Sequence, residues 1–290
     1  MDSITQAALG AAVGTAVMGR ARPVWQAALL GALIGTLPDL DVFLDKGDEI
    51  RNMVLHRAET HALFWQALAA PLIAALLAAV TRSRELYWRW LVMVMLGLFT
   101  HSWLDAMTVY GTRIGLPFTD HPFGAASLFI IDPLYTLLLL LGLILTLAWR
   151  GQRPRRWNTA GLVLSTVYAG WAVAAQAYVT TRVVQTPPAQ GLPAERILVT
   201  PTPFNTLLWR VVVRTPDGYL EGFDSLLVDE TELARFFGAA DAAVTLLANP
   251  VTASVLAACK PATPHPMTTT SYCRRCFDTS ARLRSFRVNA

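Results

Sequence analysis

Charged side chains are scarce in this chain. They make up 15% of its 290 residues, and hydrophobic residues make up 54%. A soluble domain usually carries about 25% charged residues. The formal net charge of +4 is small, so nothing in the composition calls for a nucleic-acid partner. The composition therefore predicts a polytopic membrane protein, and its expected partner is membrane lipid.

Cysteine is rare, and basic residues are missing from the start of the chain. No Lys or Arg precedes Arg20, and because a cleavable signal peptide begins with a basic region, we expect the first apolar segment to be retained. Cys259, Cys273 and Cys276 all lie in residues 253–290, a tail in which we expect poor order and to which we assign no function. In an oxidising compartment a disulfide is the expected fate of two of these thiols.

Six apolar segments are candidates for membrane helices, which need roughly 20 residues to cross the hydrocarbon core. They comprise residues 4–18, 24–37, 61–80, 86–100, 128–149 and 159–179. The first two are short, and each carries a pair of glycines four residues apart: Gly10 with Gly14, and Gly31 with Gly35. This spacing lets helix backbones approach closely. We therefore predict a tight hairpin turned at residues 19–23, the alternative being that the glycines reflect composition alone.

Basic residues are shared unevenly between alternate loops. One set of loops contains nine: Arg20, Arg22, Arg82, Arg84, Arg89, Arg150, Arg153, Arg155 and Arg156. The opposite set contains four: Lys46, Arg51, Arg57 and Arg113. Because cytoplasmic loops are enriched in Lys and Arg, the first set is predicted to face the cytoplasm of an inner (plasma) membrane. Both termini then lie on the outer, periplasmic side.

The segment after residue 183 has an ordinary soluble composition. Residues 196–200, 207–214 and 219–228 are rich in β-forming residues, and Thr215-Pro-Asp-Gly218 is a hairpin-turn signal. A helix is predicted to begin near Asp229, with Glu232 completing a capping box. The predicted fold class is thus mainly α: a helical membrane domain at 1–183, a small α+β domain at 184–252 and the tail at 253–290.

The pair His101 and Asp105 is the strongest local signal, because residues four apart share one face of a helix. A charged side chain at the centre of a membrane helix costs on the order of 2.5–3.5 kcal/mol, so such groups persist where they are paired, solvated or coordinating. The alternative is a His–Asp hydrogen bond that only holds helices together.

Two further pairs of polar residues lie close to the link between the second and third apolar segments. His56 and His61 are five apart and cannot share one face of a straight helix, but both reach one ion if Thr60 caps a helix that begins at His61. Otherwise they are interfacial histidines flanking a helix start.

Asp39 and Asp41 would repel one another unless a cation neutralised them, or unless they lie in a solvated acidic loop.

Taken together, these residues indicate a site for a divalent metal ion. Mixed His and carboxylate ligands suit Zn²⁺, with Mn²⁺ or Fe²⁺ as alternatives, and a metal ion of this kind activates water for hydrolysis. Glu59, which lies between the two histidines, is a candidate general base or a partner that orients an imidazole. His121 and Asp132 are further candidates near the substrate, although Asp132 could equally cap the fifth helix.

Several short motifs follow one another along the chain: Met1-Asp-Ser-Ile-Thr-Gln6, Leu37-Pro-Asp-Leu-Asp41, His56-Arg57 with Thr60-His61, His101-x-x-x-Asp105, Ile131-Asp-Pro-Leu-Tyr135 and Pro203-Phe-Asn-Thr-Leu-Leu-Trp-Arg210. In this order and spacing they resemble the YdjM-like family of inner-membrane, metal-dependent hydrolases. The resemblance runs to about residue 228 and does not extend to the tail.

The resemblance implies a membrane-embedded hydrolase with a divalent metal ion. It implies the metal ligands Asp39, Asp41, His56, His61, His101 and Asp105, and it places Asp2 and Gln6 where they would line the floor of the site. A looser similarity to zinc-dependent phospholipases suggests a lipid phosphodiester or ester as substrate.

Two other classes of function stay open. Intramembrane carboxylates and histidines also mark ion pathways, so a transport protein for a divalent cation or protons is the main alternative. Transport sites belong near the bilayer midplane, whereas these residues lie at the ends of the predicted helices. A structural protein of the cell envelope would leave the Asp and His residues without a purpose.

Overall fold

The computed structural model of the protein describes residues 1–43, 47, 57–148, 155–185, 197–215 and 218–227. Within these ranges the chain forms six α-helices, three short 3₁₀ helices and three strands. The α-helices are α1 (Ser3–Met18), α2 (Val24–Thr36), α3 (Leu63–Val80), α4 (Tyr87–Ala106), α5 (Pro133–Ala148) and α6 (Arg155–Val184). The 3₁₀ helices are Pro38–Phe43, Glu59–His61 and Arg84–Leu86. The strands are β1 (Ile197–Pro201), β2 (Leu208–Thr215) and β3 (Gly218–Ser225).

Helices α1 and α2 form the predicted hairpin. The turn begins at Gly19, whose φ of 52° is easily adopted only without a Cβ atom. The two helices pack so closely that a Cβ atom on Gly31 would lie 2.3 Å from the carbonyl oxygen of Gly10, and one on Gly14 would lie 2.4 Å from that of Ala27. The glycine spacing therefore serves backbone contact, as predicted from the sequence.

The remaining helices of this region pack around that hairpin. Helix α4 packs against α1, α2 and α3, and α1 also packs against α5. One apolar core joins the buried Trp90 and Met93 of α4 to Ala70 and Ala74 of α3. A second core joins α1 to Leu139 and its neighbours on α5. Helix α4 is therefore central, and its last two turns are held from several sides.

The three strands form an antiparallel sheet in the order β1-β2-β3. The pairing of Thr215 with Gly218 leaves two residues for the turn, as predicted, although the turn residues themselves lie outside the described part of the chain. Trp209, Val211 and Val213 are buried against Val179 and Val183 of α6. The small C-terminal sheet is thus confirmed, while the helix predicted near Asp229 and the cysteine tail lie outside the described residues.

The chain divides into two compact units. One comprises Met1–Ala174 with Pro203–Thr206, and the other comprises Ala175–Thr202 with the residues from Leu207 onward. The division between them falls inside α6. The candidate site described below lies wholly in the first unit.

The prediction of about six membrane helices was too high. Among the described residues, only Leu63–Val80 and Arg155–Val184 are long and apolar enough to cross a membrane on their own. Helices α1, α2 and α5 have 16, 13 and 16 residues, which is fewer than the roughly 20 that a span needs. Helix α4 has 20 residues but includes Arg89, His101 and Asp105. All six segments are helical, but four fall short of a clear span.

Two helix starts also differ from their predicted positions. Helix α3 begins at Leu63, with Ala62 at its N-cap and without a side-chain cap, so Thr60 does not cap it and His61 lies in the preceding 3₁₀ helix. Helix α5 begins at Pro133, because the Asp132 side chain accepts hydrogen bonds from the backbone N–H groups of Leu134 and Tyr135. A hydrophobic run marks a helix but not its first residue.

We predict that Gly31→Ala destabilises the protein, since its Cβ atom would meet the Gly10 carbonyl in the helix pair. Overpacking of this kind costs about 1–3 kcal/mol. Gly170→Ala, in α6, is the matched control because nothing lies within 4 Å of its new Cβ atom. Thermal unfolding in detergent should show a lower Tm for Gly31→Ala and an unchanged or raised Tm for Gly170→Ala. Equal Tm values for the two variants would contradict the packing argument.

Candidate metal centre

Four side chains converge at one end of the helices in the first unit. They are Asp39, His61, His101 and Asp105, and one possible ligand atom from each lies within 4.8 Å of the others. Asp39 comes from the 3₁₀ helix after α2, His61 from the 3₁₀ helix before α3, and the other two from the last turns of α4. His61, His101 and Asp105 are fully buried, whereas the Asp39 side chain is 19% exposed.

Four of the six distances between these atoms are close to the edge of a tetrahedral metal site. His61 Nε2 lies 3.0 Å from His101 Nε2, 3.4 Å from Asp105 Oδ2 and 3.5 Å from Asp39 Oδ1. His101 Nε2 lies 3.3 Å from Asp39 Oδ1. A tetrahedron with zinc–ligand bonds of about 2.0–2.1 Å has edges of about 3.3–3.4 Å. Two imidazole nitrogens and two carboxylate oxygens at this spacing could hold one ion.

The ring of His101 is oriented by the backbone. Its Nδ1 lies 2.6 Å from the carbonyl oxygen of Gly35. A carbonyl can only accept, so Nδ1 carries the proton and donates, and Nε2 presents its lone pair to the centre. Such a hydrogen bond fixes the tautomer and orientation of a metal-binding histidine. Gly35 is itself one of the closely packed glycines, since a Cβ atom there would lie 2.6 Å from the Gln6 carbonyl oxygen.

A chain of side chains orients His61. The Thr60 hydroxyl donates to Asp41 Oδ2 at 2.9 Å, and the same hydroxyl oxygen lies 2.9 Å from His61 Nδ1. Because that hydroxyl proton is engaged by Asp41, the oxygen accepts from Nδ1–H, and in the neutral ring His61 Nε2 then carries a lone pair that could bind a metal ion. Asp41 Oδ2 also accepts from the backbone N–H of Arg57. Asp41, predicted as a ligand, therefore lies behind His61, 4.0 Å from its Nδ1, and is not in the four-atom group.

With an ion bound, both Nε2 lone pairs, 3.0 Å apart, would point at one positive charge; without an ion, a proton on one of the two atoms supplies that charge. Burial lowers the pKa of the His61 imidazole, but its hydrogen bonds to Asp105 and Asp39 together raise it, and the net shift is upward. Burial raises the pKa of the Asp39 carboxyl, yet hydrogen bonds from His101 and His61 prevail and hold it well below its usual range. Without an ion, both shifts favour a protonated His61 beside an ionised Asp39.

Asp105 is held by groups from distant parts of the chain. Gln6 donates from Nε2 to Asp105 Oδ1 at 3.0 Å and also contacts the carbonyl oxygen of His101. The Met1 nitrogen contacts the same carboxylate oxygen. Arg57 Nε lies 3.0 Å from Asp105 Oδ2. Gln6 thus lies at the site as predicted, where it fixes a carboxylate in position.

Arg57 is a site residue to which the sequence analysis gave no role. Its backbone has φ of 66° although it is not a glycine, a strained conformation that is frequent at functional sites. Its guanidinium donates to Thr108 Oγ1 at 3.3 Å and stacks over Tyr110 at 5.7 Å. One indication of a role for Arg57 was available in the sequence, which is that it follows His56 in the His56-Arg57 motif.

The other predicted site residues lie outside the four-atom group. Asp2 caps α1 by accepting from the N–H groups of Ile4 and Thr5. Asp132 caps α5, as the alternative interpretation expected, and also accepts from the Tyr168 hydroxyl at 2.8 Å. His121 is exposed, with its ring against Phe123.

Glu59 and His56 complete the predicted set. Glu59 is exposed and lies in the same 3₁₀ helix as His61. It lines a cavity of about 300 Å³ beside Thr60 and Pro38. His56 lies outside the described residues, so its place in the ligand set stays a prediction.

Comparison with known proteins identifies the family of this chain. The model of the family described as YdjM inner membrane protein matches residues 1–179, a range that includes every member of the four-atom group. No curated protein and no solved structure matches the chain. Since the family model covers well over half of the sequence, the chain belongs to the YdjM family of inner membrane proteins.

Proposed function

We propose that this chain is a multi-pass inner-membrane hydrolase that depends on a divalent metal ion held by Asp39, His61, His101 and Asp105. The observation that carries the proposal is the convergence of two imidazole nitrogens and two carboxylate oxygens within 4.8 Å of one another. Two nitrogen and two oxygen ligands suit Zn²⁺ best, with Mn²⁺ or Fe²⁺ as alternatives. The buried site has a preference for positive charge that a resident cation would satisfy.

A bound divalent ion would activate water and polarise a carbonyl or phosphoryl oxygen. The residues of the chain divide the remaining tasks. His101 and His61 are oriented by Gly35 and by the Thr60–Asp41 pair, and Gln6 and Arg57 hold Asp105. Asp39 is the most exposed of the four and lies on the side from which a substrate can approach. Glu59, at the rim of the adjoining cavity, is the proposed general base that takes the proton from water.

The position of the centre favours hydrolysis over transport. Its side chains come from the end of α2, the approach to α3 and the last turns of α4, so they lie at helix ends. A transport site is expected near the middle of the bilayer, with access from both sides. A site at one surface suits an enzyme that acts on molecules of that surface, and the proposed substrate is a membrane lipid with a phosphodiester or ester bond.

We predict that the full-length protein purified in detergent binds about one zinc ion, and that His61→Ala and His101→Ala lose most of it. Each change removes one nitrogen ligand and leaves the two carboxylates uncompensated. His121→Ala is the control, because this exposed histidine lies outside the centre. Elemental analysis together with a thermal unfolding curve separates metal loss from unfolding. Full metal content in both site variants would show that the ligand assignment is wrong.

Hydrolysis itself can be tested with a panel of lipid phosphodiesters, esters and amides. A chelator should abolish turnover, and added Zn²⁺ should restore it. Glu59→Gln is expected to lower kcat by roughly 10²–10⁴, the usual contribution of a general base, with unchanged metal content because Glu59 is not in the four-atom group. Turnover that survives chelation would rule out metal-assisted hydrolysis, and an unchanged kcat in Glu59→Gln would remove that residue from the mechanism.

We further propose that the centre faces the periplasm, since the arginine-rich loops favour the cytoplasmic side. In a variant without native cysteines, Phe118→Cys should react with a membrane-impermeant maleimide in intact spheroplasts. This exposed residue lies in the loop between α4 and α5. Arg84→Cys, between α3 and α4, should react only after permeabilisation. The reverse labelling pattern would invert the proposed orientation.

A further inference from the structure

The cavity beside the candidate centre has an apolar floor and a polar end. It measures about 300 Å³ and is lined by Leu37, Pro38, Glu59, Thr60, Trp65, Gln66, Ala69, Ile73 and Leu98. This volume is at the lower limit of pockets that bind small molecules. Leu98 and Pro38 are buried, while Trp65, Leu37 and Glu59 are exposed. The cavity is therefore an open groove with a closed floor.

The groove runs along α3. Trp65, Ala69 and Ile73 are four residues apart and share one face of the helix, so they extend over about 12 Å of its axis. On α4, Leu98 lies one turn before the candidate ligand His101 and is part of the floor. At the other end, Pro38 and Thr60 immediately precede the candidate ligands Asp39 and His61 in the chain. The apolar groove thus leads toward the candidate centre.

Among the described residues, Gln66 lines the groove and has a buried acceptor without a hydrogen-bond partner. Gln66 is 4% exposed and donates from Nε2 to the Thr60 carbonyl oxygen at 2.8 Å and to Ser102 Oγ at 2.7 Å. Because a carbonyl only accepts, the bond to Thr60 fixes which end of the amide is Nε2. Within the described part of the chain, Gln66 Oε1 then has no hydrogen-bond partner. A buried acceptor of this kind is costly unless a donor reaches it.

The surroundings of α3 identify the molecule that fits. This helix is one of the two described helices that are long and apolar enough to cross a membrane. Its Leu68, Leu72 and Leu76 side chains are exposed in a row along the helix. In a bilayer these residues contact acyl chains, so the molecules that reach the groove from the side are lipids. An apolar groove that ends at an unpaired acceptor matches an acyl chain with a hydroxyl or amide donor near its head.

We propose that this groove binds one acyl chain of a membrane lipid and places its headgroup beside the candidate metal centre, with a headgroup O–H or N–H donating to Gln66 Oε1. The inference rests on the proposed function in one respect: the lipid held there would be the substrate. Binding in the groove can nevertheless be measured without hydrolysis.

The probe is phosphatidylglycerol with a diazirine in one acyl chain, photolysed with the full-length protein in detergent micelles. We expect labelling of the groove face of α3 and α4 that excess unlabelled phosphatidylglycerol suppresses. Ala69→Trp fills the groove and should reduce this labelling at least fivefold. Leu72→Trp places the same ring on the exposed face of α3 and should leave it unchanged. Ile73→Ala widens the groove and should keep the labelling.

A thermal unfolding curve serves as the folding control, since Ala69→Trp should unfold at about the same Tm as the unmodified protein. If Ala69→Trp is labelled as strongly as the unmodified protein, or if unlabelled lipid does not compete, the groove is not a lipid site. Phosphatidylcholine, whose headgroup has no O–H or N–H donor, should compete several-fold less well. Equal competition would remove Gln66 from lipid recognition.

The two proposals fail in different ways. Suppressible labelling in a protein that binds no metal would overturn the hydrolase and leave the lipid site in place. Metal-dependent hydrolysis without suppressible labelling of the groove would overturn the lipid site alone.

Discussion

The convergence of two buried imidazoles with two carboxylates is the interaction on which the described structure around the site depends. Two imidazole nitrogens face each other at 3.0 Å, and the far-side nitrogen of each ring is held by a hydrogen bond. Two carboxylates close the group. Removing such groups from water is expensive unless opposite charge compensates them. A divalent cation satisfies all four at once.

The way in which the helices pack explains how this arrangement is held. Close contact between α1 and α2 depends on glycines, and it brings the Gly35 carbonyl to His101 and the Gln6 side chain to Asp105. In a membrane, helices associate through close packing and hydrogen bonds, because the hydrophobic effect does not drive them together. The same close approach that stabilises the hairpin therefore also orients two members of the centre.

Much of the fold and part of the centre could be predicted from the sequence. Apolar runs located all six described helices, and glycine spacing predicted the α1–α2 hairpin. The four-residue spacing of His101 and Asp105 placed them on one helical face, and the repulsion between neighbouring carboxylates pointed to a cation near Asp39. Each of these inferences uses residues that are close in the chain, where helix geometry fixes their relation.

What could not be predicted depends on contacts between distant segments. No local feature of the sequence distinguishes Asp39 from Asp41. Asp39 faces the centre, whereas Asp41 accepts a hydrogen bond from Thr60 on the far side of the His61 ring. The contact of Arg57 with Asp105 spans the gap between a loop and the end of α4. The number of clear membrane spans was also overestimated, because hydrophobicity marks helices that pack against other helices as strongly as helices that face lipid.

The proposed charge of the centre and the apolar groove together favour one kind of substrate. A water-soluble substrate would gain little from an apolar groove that opens beside exposed leucines on α3, and a transported ion would have no use for it. A membrane lipid would use both parts: its chain would enter the groove from the bilayer, and its polar head would meet Gln66, Glu59 and the candidate ligands. Because Leu98 and His101 lie one turn apart on α4, the depth to which the chain enters also sets the distance of the headgroup from the centre. The distance along α4 between Leu98 and His101 would then determine which bond of the lipid lies at the centre.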